Sequence, residues 1–356
     1  VTIKLIDINT TRRRPPGPRC LVYLDQSTLS RMVRNSRFHD LRDELLAGVR
    51  AGLVICPRSP DHDDEGRLAR PDTWEQIDSL THALSPGVRF RVVGEVENAE
   101  IRAAVRALLA RPAEDLWRES FTTDPHTARE KTIKIVGGEI TVRARIPPDE
   151  ADRAEVLHEK AKEEPLTAAY SETRDQFSFE EICNANLHQL LEWKLGPLAS
   201  TSTYMHRLNR LTAETETEQQ AGLNPARPGS AFRRWDAVRQ RGQFIMDLCT
   251  EFPELPQHAK ELFYGADLRS MPTMTLYAYL RAGLASVPGR KGKRGDGYDV
   301  NHLVRGMSRC DIVTADRGMY EMVRTRKLLP DACSLFESSD VDGLLAAIRK
   351  AVAERG

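Results

Sequence analysis

Residues 20–25 read CLVYLD. The run is short, apolar, partly β-branched and aromatic, and it stops at an aspartate. That is the pattern of a strand buried on both faces of a parallel sheet, with an acid at its carboxyl end. A second run of the same kind, DIVTAD, stands at 311–316. Around the first, a helix is expected from Ser27 or Thr28, with Leu29, Met32 and Val33 on one face, and another through FHDLRDELLAGVRAG to Gly52. LVIC (53–56) is then a second buried strand closed by Pro57, so the chain opens on a βαβ unit. Around the second run, YDVNHLVRGMSR and RGMYEMVRTRKL read as helices, CSLFE as a last strand and VDGLLAAIRKAVAE as a closing helix. Neither end alone has enough strands for a sheet. One parallel sheet built from both ends resolves this.

The expected fold class is therefore α/β, with residues 1–66 and 267–356 forming one domain and 67–266 a mostly helical insertion. Within the insertion, KTIKIVGGEITVRARI reads as a hairpin around Gly137 and Gly138. The polar stretch TAETETEQQAGLNPARPGS (212–230) reads as a mobile linker. Trp74, Trp117, Trp193 and Trp235 all fall in the insertion and are expected in its core.

Composition excludes several classes. Hydrophobic residues at 40% and charged residues at 29% are those of a globular chain. No apolar run approaches the roughly 18 residues of a membrane span, and the first residues lack a signal-peptide pattern, so a cytoplasmic location and no membrane partner are expected. Six scattered cysteines without a CxxC pair are expected to be reduced and not zinc ligands. Net charge is zero, yet residues 1–60 carry +6, residues 225–330 carry +7 and residues 61–224 carry −11. Local positive charge at the two ends is compatible with a phosphate-bearing ligand.

In a parallel α/β sheet, ligands bind beyond the carboxyl ends of the strands. Asp25 and Asp316 stand there, Glu65 follows the second strand in SPDHDDE (59–65), and Asp299 opens the helix before the strand of Asp316. Four carboxylates in one cleft repel one another unless divalent cations neutralise them. Carboxylate oxygens suit Mg²⁺ or Mn²⁺. Asp311 begins its strand and ranks below these four. A phosphohydrolase of the haloacid dehalogenase type needs D-x-D, and Asp25-Gln26-Ser27 lacks the second acid. A dinucleotide site is excluded because no GxGxxG follows LVYLD.

These segments resemble the PIN-like nucleases: LVYLD with Asp25, the T-x-D of IVTAD with Thr314 and Asp316, Asp299 on the preceding helix, and an S-x-x-H-x-x-E stretch with Ser59, His62 and Glu65. The resemblance covers about 150 residues, near 20–65 and 267–340. It implies a three-layer α/β sheet, an acid cluster of Asp25, Glu65, Asp299 and Asp316 holding Mg²⁺ or Mn²⁺, and hydrolysis of phosphodiesters, usually in RNA. Thr314 is expected to orient Asp316 or a metal-bound water. His62 and His302 are expected to touch a phosphate or orient an acid. Arg290, Lys291, Lys293 and Arg294 of GRKGKRG, with Arg31 and Arg34 at helical spacing after Asp25, are expected to hold nucleic acid by its phosphates. The insertion is expected to restrict access, bind a protein partner or form an oligomer. The alternative reading is a catalytically inactive PIN-like module that binds nucleic acid or serves as a scaffold.

Overall fold

Alternation along the first strand decides how the molecule is layered. In β1 (Cys20–Tyr23), Cys20 and Val22 point to one face and Leu21 and Tyr23 to the other, as period-two geometry requires. The computed structural model describes residues 19–66, 71–113, 116–122, 131–135, 138–142, 163–225, 229–265, 270–293, 295–330 and 333–355. It is a mostly helical α/β protein around a four-stranded parallel sheet. The strands are β1, β2 (Val54–Ile55), β3 (Ile312–Ala315) and β4 (Ser334–Glu337), in the order β2-β1-β3-β4. Val22 pairs with Ile312 and Tyr23 with Val313, so both ends of the chain do build one sheet. A parallel bridge from Arg58 to Arg89 lays the short strand Arg89–Phe90 beside the segment that follows β2.

Helices cover both faces, which is why every residue of β1 is buried. On the Cys20 and Val22 face lie α1 (Gln26–Arg34), α2 (His39–Arg50), α4 (Pro71–Leu84) and α12 (Val341–Ala353), through Leu29, Met32, Leu41, Leu45, Ile77, Leu84, Leu344 and Ile348. Between α2 and α4, a short α3 (Pro60–Gly66) follows β2. On the Leu21 and Tyr23 face lie α5 (Val93–Leu108), α9 (Pro272–Ser286), α10 (Asp296–Arg309) and α11 (Arg317–Thr325). Two further helices, α6 (Phe179–Ala199) and α8 (Ala231–Glu251), continue the same core outward through Leu187, Leu191, Leu195, Ile245 and Leu248. Residues 71–108, placed in the insertion on sequence grounds, thus supply a helix to each face of the sheet.

The first half of the expected linker, residues 212–220, is helix. α7 (Thr201–Gln220) takes in residues 212–220 and lies along α8, with Glu214 paired to Arg234 and the Glu218 carboxylate accepting from the Ala231 N–H at 2.9 Å. Thr212, Thr215 and Thr217 turn their hydroxyls back onto carbonyls four residues earlier, so the polar side chains satisfy themselves within the helix. The strands Lys131–Ile135 and Gly138–Val142 pair antiparallel, while Gly137 of the expected turn lies outside the described residues. Among the described residues, no helix is long and apolar enough to cross a membrane. All six cysteines are free, five of them buried.

α10 is seated closely on the sheet at Gly306. A methyl group on Gly306 would stand 2.9 Å from Tyr23 Cδ1 and from both γ-carbons of Val313. Only a residue without a side chain lets this helix approach β1 and β3 so closely. Gly306→Ala is expected to cost about 1–3 kcal/mol through overpacking. Urea denaturation reads this as a lower midpoint at unchanged slope.

Candidate acid cluster at the carboxyl edge of the sheet

Two strands end alike. Asp25 follows β1 and caps α1, its Oδ1 accepting from the Thr28 N–H at 3.1 Å; Asp316 follows β3 and caps α11, its Oδ1 accepting from the Met319 N–H at 2.7 Å. A carboxylate satisfies orphan amides at a helix start and is favoured there by the helix dipole. Because β1 and β3 are parallel neighbours, both acids sit at one edge of the sheet. Thr314, expected to orient Asp316 or a metal-bound water, is hydrogen-bonded to Asp25 instead of Asp316. Its hydroxyl donates to Asp25 Oδ1 at 2.9 Å and accepts the Asp25 N–H at 2.9 Å, locking the two strand ends together. Ser27 and Thr28 hydroxyls donate to the same carboxylate at 2.6 and 2.5 Å, a contribution that their place in the sequence did not disclose.

The acidic segment after β2 is sorted by its partners. Asp61 forms a buried ion pair with Arg305 of α10, and Asp63 is clasped by Arg58 and Arg89, both buried. Arg58 also reaches Asp78 at 2.5 Å. Stripping either carboxylate of its arginines would leave a charge in a dry interior, so both are committed to structure. Glu65, in the last turn of α3, meets no arginine or lysine among the described residues. Its Oε2 lies 3.1 Å from His302 Nε2.

A chain of hydrogen bonds runs behind Glu65. His302 Nδ1 lies 2.5 Å from the Tyr23 hydroxyl, which lies 2.8 Å from Ser59 Oγ; that oxygen stands 3.2 Å from His62 Nδ1. The Ser59 N–H donates to His62 Nδ1 at 3.0 Å, so this nitrogen is the acceptor and His62 Nε2–H donates to the Leu24 carbonyl at 2.7 Å. Burial, then the proximity of His302, pushes His62 down to about 3, in keeping with that neutral tautomer. His302 is raised instead: burial alone would lower it, but the hydrogen bond and charge of Glu65 outweigh burial. Neither imidazole is open to a phosphate, both being almost fully buried. They orient their neighbours: His62 holds the backbone just before Asp25, and His302 holds Glu65. Tyr23 reads in the sequence as a plain core aromatic, and Phe90 does pack edge-on against it at 5.5 Å. Only its hydroxyl belongs to the site.

Asp299, in the first turn of α10, completes the group. Its carboxyl is pushed up to about 7, by burial first, then by the charges of Asp316, Glu65 and Asp296. Glu65 is held low: burial acts upward, but the His302 hydrogen bond and charge prevail. None of Asp25, Glu65, Asp299 and Asp316 forms an ion pair with arginine or lysine among the described residues. As donors for a divalent ion they have the right chemistry, all carboxylate oxygen. As a preformed cage they do not, since no three His, Cys, Asp or Glu side chains among the described residues are gathered closely enough to hold a metal ion.

The expected cations divide. Arg290 donates to buried Asp296 at 2.6 Å and the Lys293 N–H to the same carboxylate at 3.1 Å, folding the basic loop back onto the start of α10. A methyl group on Gly318 would stand 3.5 Å from Lys293 Nζ, 3.6 Å from Asp316 Oδ1 and 3.7 Å from Arg290 Nη1, which places both cations beside Asp316. Lys291 is exposed, and Arg294 lies outside the described residues. Arg31 and Arg34 are not brought to the cluster. They occupy the last turn of α1, whose first turn is at Asp25, and Arg34 donates to Thr73 there at 2.8 Å.

The raised carboxyl of Asp299 has a signature in stability. A proton held more tightly in the folded state than at the ordinary 3.8 stabilises fully below about pH 4, and that contribution is lost as pH climbs to about 7. Metal-free protein is therefore expected to lose stability across this window, and Asp299→Asn to lose less, by ~2 kcal/mol at pH 8 after allowance for partial exposure. Denaturation midpoints of the two proteins at pH 4, 6 and 8 check it; parallel curves contradict it. Comparison with family models, with characterised proteins and with solved structures returns no match to this chain, so the case for what the cluster does rests on its own geometry.

Proposed function

We propose that the chain is a metal-dependent nuclease of PIN-like type that hydrolyses phosphodiester bonds, RNA being the favoured substrate by resemblance. The observation that carries this reading is the placing of Asp25 and Asp316 just after the ends of adjacent parallel strands, with Asp299 and Glu65 in the same electrostatic field and no ion pair from arginine or lysine to any of the four among the described residues. Elsewhere near this edge, acids of the same segments are each matched to an arginine: Asp61, Asp63 and Asp296. Leaving carboxylates without a cation at a partly buried edge costs stability, and a bound cation is the ordinary way to offset it.

Asp25, Glu65, Asp299 and Asp316 would hold Mg²⁺ or Mn²⁺, which, when bound, would supply an activated water and neutralise developing charge on phosphorus. Thr314, Ser27 and Thr28 fix the Asp25 carboxylate. His302 fixes Glu65. Lys293 and Arg290, next to Asp316, offer positive charge where a scissile phosphate would lie.

One observation favours the inactive alternative, a PIN-like module that binds nucleic acid without cutting it: Asp25 Oδ1 already accepts from Thr28 and Thr314, and the four acids do not converge as they stand. A pair of measurements separates the readings. The nuclease reading expects cleavage of RNA, single-stranded DNA or duplex DNA in Mg²⁺ or Mn²⁺, lost by roughly a thousandfold or more in Asp25→Asn and Asp316→Asn. It also expects Mn²⁺ to raise the melting temperature of wild type and not of Asp25→Asn, by ligand linkage. Cleavage that persists in the double variant would falsify the assignment, and a melting temperature indifferent to Mn²⁺ would favour the inactive module.

A further inference from the structure

Outside the acid cluster, two arginines that share one indole have no carboxylate paired to them among the described residues. Trp193, near the end of α6, is 40% exposed, against the expectation that the tryptophans pack in a core. The guanidinium of Arg241 on α8 lies 3.1 Å from the centre of its ring and that of Arg207 on α7 5.5 Å. Arg241 Nη1 donates to the Trp193 carbonyl at 2.7 Å, while its Nη2 is buried without a hydrogen-bond partner. Neither arginine forms an ion pair among the described residues. Their neighbours do: Arg210 and Arg234 pair with Glu214, and Arg239 with Asp236. Burial, then the charge of Arg207, pushes the Arg241 guanidinium down to about 10. Two like charges are thus held against one indole at a cost to the fold, and an anion between them would remove that cost.

The position of this group matters as much as its charge. Lys194, the next residue, pairs with Glu97 at 2.7 Å and donates to the Gly94 carbonyl at 3.4 Å, docking α6 on the start of α5. α5 directly follows the strand Arg89–Phe90, which runs parallel to the segment after β2. The first turn of a helix that follows a parallel strand lies at the carboxyl edge. Through Lys194 the helix that carries Trp193 is thereby tied to the β2 side of the sheet.

We propose that Trp193, Arg207 and Arg241 form a second contact for single-stranded nucleic acid, a phosphate held by the two guanidiniums and a base laid on the open part of the indole. Guanidinium and phosphate match in geometry and charge, and a buried donor without a partner gains one. An unstacked base has a face for the indole, which a base within a duplex does not offer. A carboxylate from a protein partner would satisfy the arginines but give the exposed ring nothing to stack on. The identity of the ligand rests on the nuclease reading; the site itself rests on the cation pair.

The test is binding of the full chain to a labelled single strand of about 12 nucleotides, RNA and DNA separately, followed by fluorescence anisotropy in EDTA so that nothing is cut. Arg207→Gln/Arg241→Gln is expected to raise Kd by roughly tenfold and to lower the slope of log Kd against log salt by about 0.7, the share of one phosphate. Arg207→Gln alone, an exposed position that leaves folding intact, is expected to raise Kd by about threefold, half that effect in free energy. Unchanged Kd and slope in both variants would overturn the proposal. So would a duplex of equal length that binds as tightly and weakens by the same factor, or a polyglutamate peptide that displaces the strand from wild type but not from the double variant. A protein that binds through the pair yet cuts nothing leaves this site standing and sinks the nuclease reading; one that cuts while its binding ignores the pair does the reverse.

Discussion

The missing side chain of Gly306 sets the distance between α10 and the sheet, and the acid cluster is built on that distance. With a methyl group there, Tyr23 and Val313 would have to move. Without one, the helix lies close enough for His302 to meet the Tyr23 hydroxyl and for Asp299 to share a field with Asp316 and Glu65. Three buried ion pairs hold the helix at successive heights: Asp296 with Arg290 at its start, Arg305 with Asp61 in its middle, and Arg309 with Glu100 at its end. Glu100 also accepts from the Thr273 N–H at 3.0 Å and so caps α9, whose own cap position, Met271, has no polar side chain. Buried pairs add little net stability over apolar packing, but removing one partner is costly. Here they fix the turn and height of α10, hence which of its faces looks at the strand ends.

What could be read without coordinates was local. CLVYLD and DIVTAD carry their own evidence, since an apolar run of strand length stopped by an acid needs no partner to be recognised, and the two runs do pair in one parallel sheet. The closing elements, Ser334–Glu337 and Val341–Ala353, were equally legible. What depended on distant segments was not. Glu65 is distinguished from Asp61 and Asp63 by Arg305, Arg58 and Arg89, none of which announces its partner by spacing. Spacing offers Thr314 the acid two residues on or a metal-bound water, whereas its hydroxyl crosses to Asp25 on the neighbouring strand. Tyr23 looked like core because most of it is.

Two misreadings have a common cause. Helical spacing says which face a residue occupies but not which end of the helix comes near a site, and Arg31 and Arg34 occupy the last turn of the helix that Asp25 caps. Polar composition says that a segment buries little by itself, but not that a neighbour will receive it. Residues 212–220 are helical because α8 lies alongside, and Tyr204 fills the place where a side chain on Gly242 would be. In both, tertiary context overrode a signal that was correct at its own level.

The division of charge at the carboxyl edge is the feature that any functional account must meet. Structural acids there are matched one by one with arginines, and the matching is economical: Asp63 with two, Asp61, Asp296 and Glu100 with one each. Against that background four carboxylates have no arginine or lysine paired to them among the described residues, and two arginines on an exposed indole have no carboxylate paired to them there either. A fold under selection for stability alone would pair these groups or replace them, since each residual charge costs free energy when desolvated. Excess negative charge attracts a cation, and excess positive charge elsewhere on the surface attracts an anion. On the reading proposed above, a phosphodiester chain with a divalent ion would bring both charges in one ligand and answer the two surpluses together, where a metal alone or an anion alone would answer one.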